Sequence, residues 1–248
     1  MIKDIQVYDS RTIGLSVVGL LAGVPISALV VGIPAYLETQ WRLDADQMLV
    51  QDSATERLPN SFLLFRARPI TLRTCITMLA MGLLSTWAAL HYEDGPVTFA
   101  ALVLASGLLT LSLIDFDHQL LPDLLMLPLL WLGLILNSFE LFTTLSHAVW
   151  GAVGGYLLLW FIRGLFKMIS GSEGMGQGDL KLMAMLGAWG GLQILPVVLM
   201  LSTLAVTLVV CAGIASSKID RTTPIPFGPF LAGAGWLALL YTPDWPPI

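Results

Sequence analysis

The chain has 248 residues, 56% of them hydrophobic and only 12% charged, with a formal net charge of −5. Soluble domains carry about 25% charged residues, so this composition excludes a water-soluble globule and places the protein in a bilayer. The 12 basic residues form no run suited to nucleic acid.

Eight apolar runs approach the about 20 residues a helix needs to cross hydrocarbon. They are 13–36, 74–91, 97–114, 122–138, 144–169, 180–195, 196–215 and 226–242. The expected fold is therefore all-α and polytopic, with about eight transmembrane helices. The first run follows Asp4, Asp9 and Arg11 without a small-residue cleavage site, so no cleaved signal is expected there.

Basic residues orient the spans, because cytoplasmic loops retain Lys and Arg. Lys3 and Arg11 precede the first span. Arg42, Arg57, Arg66, Arg68, Arg73, Arg163, Lys167, Lys181, Lys218 and Arg221 fall on the opposite side of an eight-span chain. Both termini are thus expected outside and ten basic residues in the cytoplasm.

Between the first two spans lies one sizeable polar segment, 37–73. Its five acids, Glu38, Asp44, Asp46, Asp52 and Glu56, balance five arginines. Local neutrality suits a small folded cytoplasmic elaboration better than a polybasic lipid-binding arm. Further on come the loop DFDHQLLPD (115–123), the glycine-rich loop 170–178 and the proline-broken entry 216–226. All lie on the cytoplasmic side in this topology.

Cys75 and Cys211 sit inside apolar runs and read as small buried hydrophobes. The three histidines are far apart, so no metal-binding Cys/His cluster is expected. Trp41, Trp131, Trp160 and Trp189 read as interfacial or packing residues. Gly151 and Gly155 have the small-xxx-small spacing that lets membrane helices approach closely.

The informative residues are acids at the edges of the spans. Asp115 directly follows thirteen apolar or small residues, and Asp179 follows the glycines of GMGQGD. An ionisable group at membrane depth costs roughly 2.5–3.5 kcal/mol on insertion scales, which makes it a functional candidate. Topology sends both acids to one face. Two such carboxylates can share a proton and activate water.

Their neighbours admit bland readings too. Asp117 suits a solvated loop, and His118 an interfacial position. Asp123, after Pro122, suits the first turn of the next helix. Asp179 alone could be a helix N-cap. Gly176 and Gly178 would let a substrate backbone approach. Lys181 could tune the acids, or extend to water.

The stretch IDFDHQLLPDLLMLPLLWLGLILN and the later GMGQGDLKLMAMLGAWGG resemble the type IV prepilin peptidases, a GxGD family of membrane aspartyl peptidases. The 64-residue separation of Asp115 and Asp179 fits that family's catalytic pair, and PFGP at 226–229 is similar to its C-terminal pattern. The resemblance implies a prepilin or type II secretion pseudopilin substrate. Its short basic leader would be removed at the cytoplasmic face of the inner membrane, just before an apolar helix.

Many such enzymes also methylate the new N-terminus with S-adenosylmethionine, through a first cytoplasmic segment that usually carries two zinc-binding CxxC pairs. Here that segment keeps Glu38, Trp41 and Arg42 as family-like residues but lacks the cysteines, so no zinc is expected. The resemblance divides the chain into 1–73, methyltransferase-like, and 74–248, a peptidase core needing no cofactor. A proton-coupled transporter is the competing class, since membrane aspartates also relay protons.

Overall fold

The computed structural model describes residues 2–49, 71–92, 95–171, 175–216 and 225–241, with side chains of the first helix described from Thr12 to Leu43. The expectations for 50–70, for the side chains of Lys3, Arg11, Asp44 and Asp46, and for Lys218 and Arg221 fall outside the described residues.

Every regular element among the described residues is helical. In order they are α1 (Ile2–Leu49), α2 (Leu72–His91), α3 (Gly95–His118), α4 (Asp123–Asn137), α5 (Leu145–Ser170), α6 (Gln177–Gly190), a short 3₁₀ turn (Leu192–Ile194), α7 (Leu195–Ala215) and α8 (Gly228–Tyr241). Five segments are long and apolar enough to cross a membrane: Thr12–Leu43, Leu72–His91, Gly95–His118, Leu145–Ser170 and Leu192–Ala215. The protein is a polytopic all-α membrane protein. One expectation changes: α1 does not stop near residue 36 but runs through Pro34 to Leu49, so the first part of the polar segment continues the helix.

The chain divides into two compact units, Met1–Thr86 and Trp87–Ile248, which part within α2. In the first unit α1 and α2 pack closely. The Thr77 hydroxyl donates to the Gly23 carbonyl at 3.3 Å, and Ser16 and Thr86 share a hydrogen bond of 2.7 Å.

The second unit is built around α6. From Leu182 to Gly190 every residue of α6 is buried. Such a helix is apolar all round because other helices surround it. The tightest packing is with α5, where Gly151 meets Gly187 backbone to backbone and a Cβ on Gly155 would lie 2.7 Å from the Met183 carbonyl oxygen. The expected small-residue seam is thus the α5–α6 contact.

On another side α4 runs parallel to α6. Trp189, fully buried, donates from Nε1 to the Leu129 carbonyl at 2.8 Å, and its ring lies against Gly133. At the far end Asn137 donates from Nδ2 to the carbonyls of Ala188 and Trp189, both at 2.9 Å.

The cysteines depart from expectation. Both Cys75 and Cys211 are free and exposed. In a membrane protein the outward helix faces are as apolar as the core, because lipid covers them, so an apolar run does not distinguish the two.

Candidate active site

α3 carries Asp115 further into helix than the sequence implied. The helix continues through His118, and the Gln119 N–H still donates to the Asp115 carbonyl at 2.9 Å. It ends at Gln119, whose φ of 52° is left-handed and stops the helical repeat. The connection to α4 is therefore only 119–122, not the nine-residue loop expected from 115. Asp115 lies on the inward face and is 6% exposed, whereas Asp117 and His118 are exposed. A helix turns about 100° per residue, so Asp117 cannot share the inward direction of Asp115. Asp117 is not brought into the site.

α6 starts differently from the N-cap reading of Asp179. Its N-cap is Gly176, with extended backbone at φ −69° and ψ 155°. Asp179 is the third helical residue, 8% exposed, and its carboxylate accepts the Gly176 N–H. This is the reach-back arm of a capping box, which satisfies an otherwise orphaned donor at the helix start.

The two carboxylates come together beside α8, which packs against both α3 and α6. Asp115 lies within electrostatic reach of the Asp179 carboxyl. Gly228, the first residue of α8, donates its N–H to Asp115 Oδ2 at 3.0 Å. The sequence reading took PFGP as a family-like pattern and gave Gly228 no role. A glycine between Phe227 and Pro229 at a span's entry was the available signal.

Chemically, two close carboxylates in a poorly solvated pocket cannot both ionise readily. Two carboxylates so placed can share one proton. One member can then polarise a water while the other supplies a proton.

Asp123 and Lys181 form a separate pair. Lys181 Nζ donates to Asp123 Oδ1 at 2.7 Å and to Oδ2 at 2.6 Å. Lys181 therefore does not simply extend to water, and Asp123, first residue of α4 as expected, has a partner. Gly178 packs on the 119–122 loop: a Cβ there would lie 2.8 Å from Leu121 Cβ.

Glu38, Trp41 and Arg42 lie on the C-terminal part of α1, in the first unit. Glu38, Trp41 and Arg42 are all exposed. Residues 50–70 of the same polar segment lie outside the described residues. No group of three or more His, Cys, Asp or Glu that could hold a metal occurs among the described residues.

Residues 102–211 match the model of the type IV leader peptidase family. The prepilin leader peptidase/N-methyltransferase of Stutzerimonas stutzeri is 43% identical over 256 aligned residues, covering 91% of this chain and 89% of that protein. The chain belongs to the type IV leader peptidase family. Proteins of the same name are similar in Pseudomonas aeruginosa, at 42% identity over 90% of this chain and 88% of the relative, and in Aeromonas hydrophila, at 46% over 76% and 68%. No solved structure matches. As a family match, 102–211 encloses Asp115, Asp123, Asp179 and Lys181, while Gly228 lies beyond it. Proton-coupled transport receives no support from these relatives.

Proposed function

We propose that this leader peptidase cuts the short basic leader from type IV prepilins or type II secretion pseudopilins, with Asp115 and Asp179 as its catalytic dyad. The observation that carries this reading is the approach of two buried carboxylates, 64 residues apart in the chain, across the ends of α3, α6 and α8. In the proposed mechanism the ionised member draws a proton from water, and the oxygen attacks the scissile carbonyl. The protonated member gives its proton to the leaving nitrogen. Gly176 leaves room for an extended substrate backbone beside Asp179, whereas Gly178, expected to do the same, is closed off by Leu121.

The basic-residue bias supports an active site on the cytoplasmic face of the inner membrane, with both termini outside. Helix length supports a site recessed from the surface. α6 has 14 residues. It rises only about 21 Å, against a hydrocarbon core of about 30 Å. The substrate's apolar helix would then enter sideways from the lipid, presenting its leader to the α6 start.

Residues 74–248 form the peptidase part in this reading and 1–73 the methyltransferase-like part. Methylation of the new N-terminus is a second activity, favoured by the full-length similarity to relatives named N-methyltransferases. The test is incubation of the solubilised protein with a prepilin and S-adenosylmethionine, followed by mass spectrometry of the mature N-terminus. A product starting after the leader supports cleavage, and an added methyl group supports the second activity. An uncut prepilin overturns the reading.

A further inference from the structure

We infer that the Asp123–Lys181 ion pair is a clamp that sets the spacing of the dyad, and that both are positioning residues. The inference rests on the peptidase reading.

The geometry is a closed ring. One arm is the chain from Asp115 through the end of α3 and the 119–122 loop to Asp123, the first residue of α4. The other arm is two residues long, from Asp179 to Lys181 on α6. At one side Asp115 and Asp179 lie within electrostatic reach of each other beside α8, which packs on both their helices. At the other the ring is closed by Lys181 Nζ, held by both oxygens of Asp123 at 2.7 Å and 2.6 Å. Any drift of the start of α4 relative to α6 is passed along this short path to Asp115.

Two further observations place load on the clamp. The loop it retains begins with Gln119 in the left-handed region at φ 52°, a conformation that non-glycine residues hold only when their surroundings enforce it. Leu121 of the same loop lies on Gly178, one residue before Asp179, with no space for a Cβ between them. α4 is tied to α6 at its other end by Asn137 and along its length by Trp189, so the ion pair secures the end nearest the dyad. Lys181 Nζ, engaged by both Asp123 oxygens, acts on the acids through the position of α4.

Displacing one carboxylate by about 1 Å lowers catalysis by up to about a hundredfold while leaving substrate binding elsewhere intact. The signature is therefore a fall in kcat without a matching rise in KM. Three variants test it with a purified prepilin in detergent: Asp123→Asn, Lys181→Met, and the exchange Asp123→Lys with Lys181→Asp. Each single variant should lose about tenfold or more in kcat with KM changed by less than about twofold. The exchange restores an ion pair, at the cost of a cation in the first turn of α4, and should recover to within about threefold of the unaltered protein. Single variants that keep kcat within twofold overturn the inference. So does an exchange no faster than the slower single, which would make Lys181 or Asp123 a direct partner of substrate or dyad. If Lys181→Met fails to elute as a single species, the shape-conserving Asp123→Asn and the exchange still decide. Failure of the unaltered protein to cut would count against the peptidase reading, not the clamp.

Discussion

The backbone N–H of Gly228 stands 3.0 Å from Oδ2 of Asp115, and a Cβ on that glycine would fall 2.6 Å from the same oxygen and 3.0 Å from Cγ. The contact ties the start of α8 to the end of α3. It requires a residue with no side chain, since a methyl group cannot share that space with a carboxylate. A hydrogen bond from an N–H to a charged carboxylate contributes about 1.5–3 kcal/mol. Gly228→Ala should push Asp115 out of line with Asp179 and cut cleavage at least about a hundredfold. Initial rates on a prepilin measure this, with size-exclusion elution as the folding control. A folded alanine variant cleaving at half the normal rate would show that α8 does not help hold the dyad.

The dyad itself is tested by Asp115→Asn and Asp179→Asn. The amide keeps the shape of each side chain but can neither accept water's proton as a base nor share one. Each variant should leave no measurable leader removal while inserting into the membrane at normal levels. Because the two acids act as a unit, the double variant should be no worse than either single. Substantial cutting by one of the singles would remove that residue from the chemistry.

Much of this was legible before any coordinates. The eight apolar runs correspond to eight α-helices among the described residues, and α2 to α8 begin and end within about five residues of the runs, because membrane helices announce themselves by continuous hydrophobicity. Asp115 and Asp179 were readable for a related reason: a carboxylate against an apolar run is costly and so stands out. Other features leave no such trace. The helical state of 115–118 depended on where the left-handed Gln119 falls, and glutamine is not a residue that marks a helix end. The Lys181 partner was hidden because Asp123 lies 58 positions away on another helix. The Gly228 contact left only a faint trace, a glycine between Phe227 and Pro229, because a backbone donor has no side chain to read. Buried and lipid-facing apolar residues look alike, which is why the two cysteines were misplaced.

Metal removal probes the chemistry from another direction. A metal-activated water would need several donors around one ion, and among the described residues no set of three or more His, Cys, Asp or Glu converges. A carboxylate pair sharing a proton has no such requirement. Prolonged treatment with EDTA, followed by assay in metal-free buffer, should leave prepilin cleavage within about twofold of the untreated enzyme. Loss of activity that returns on adding a divalent ion would replace the dyad scheme with a metal-dependent one.

Stability at the opposite end of α4 depends on Asn137, which is fully buried and uses both halves of its amide. Nδ2 donates to the Ala188 and Trp189 carbonyls, and Oδ1 accepts from the Phe142 and Thr143 N–H groups at 3.1 Å. One side chain thus joins the end of α4, the following turn and the end of α6. Asn137→Leu keeps the branched shape and heavy-atom count but strands four backbone groups, each worth about 1–3 kcal/mol when left unpaired. Partial relaxation leaves a net loss of about 3–5 kcal/mol, or roughly 10 °C in Tm for a unit of this size. Asn137→Asp keeps the accepting arm but turns an oxygen toward two carbonyls, so it should also melt early. Because this contact is remote from Asp115 and Asp179, cleavage at low temperature should fall far less than in the dyad variants. Thermal unfolding of the solubilised protein, followed alongside activity at 15–20 °C, separates the two effects. An Asn137→Leu variant melting within about 2 °C of the parent would show that the turn and α6 hold together without the amide.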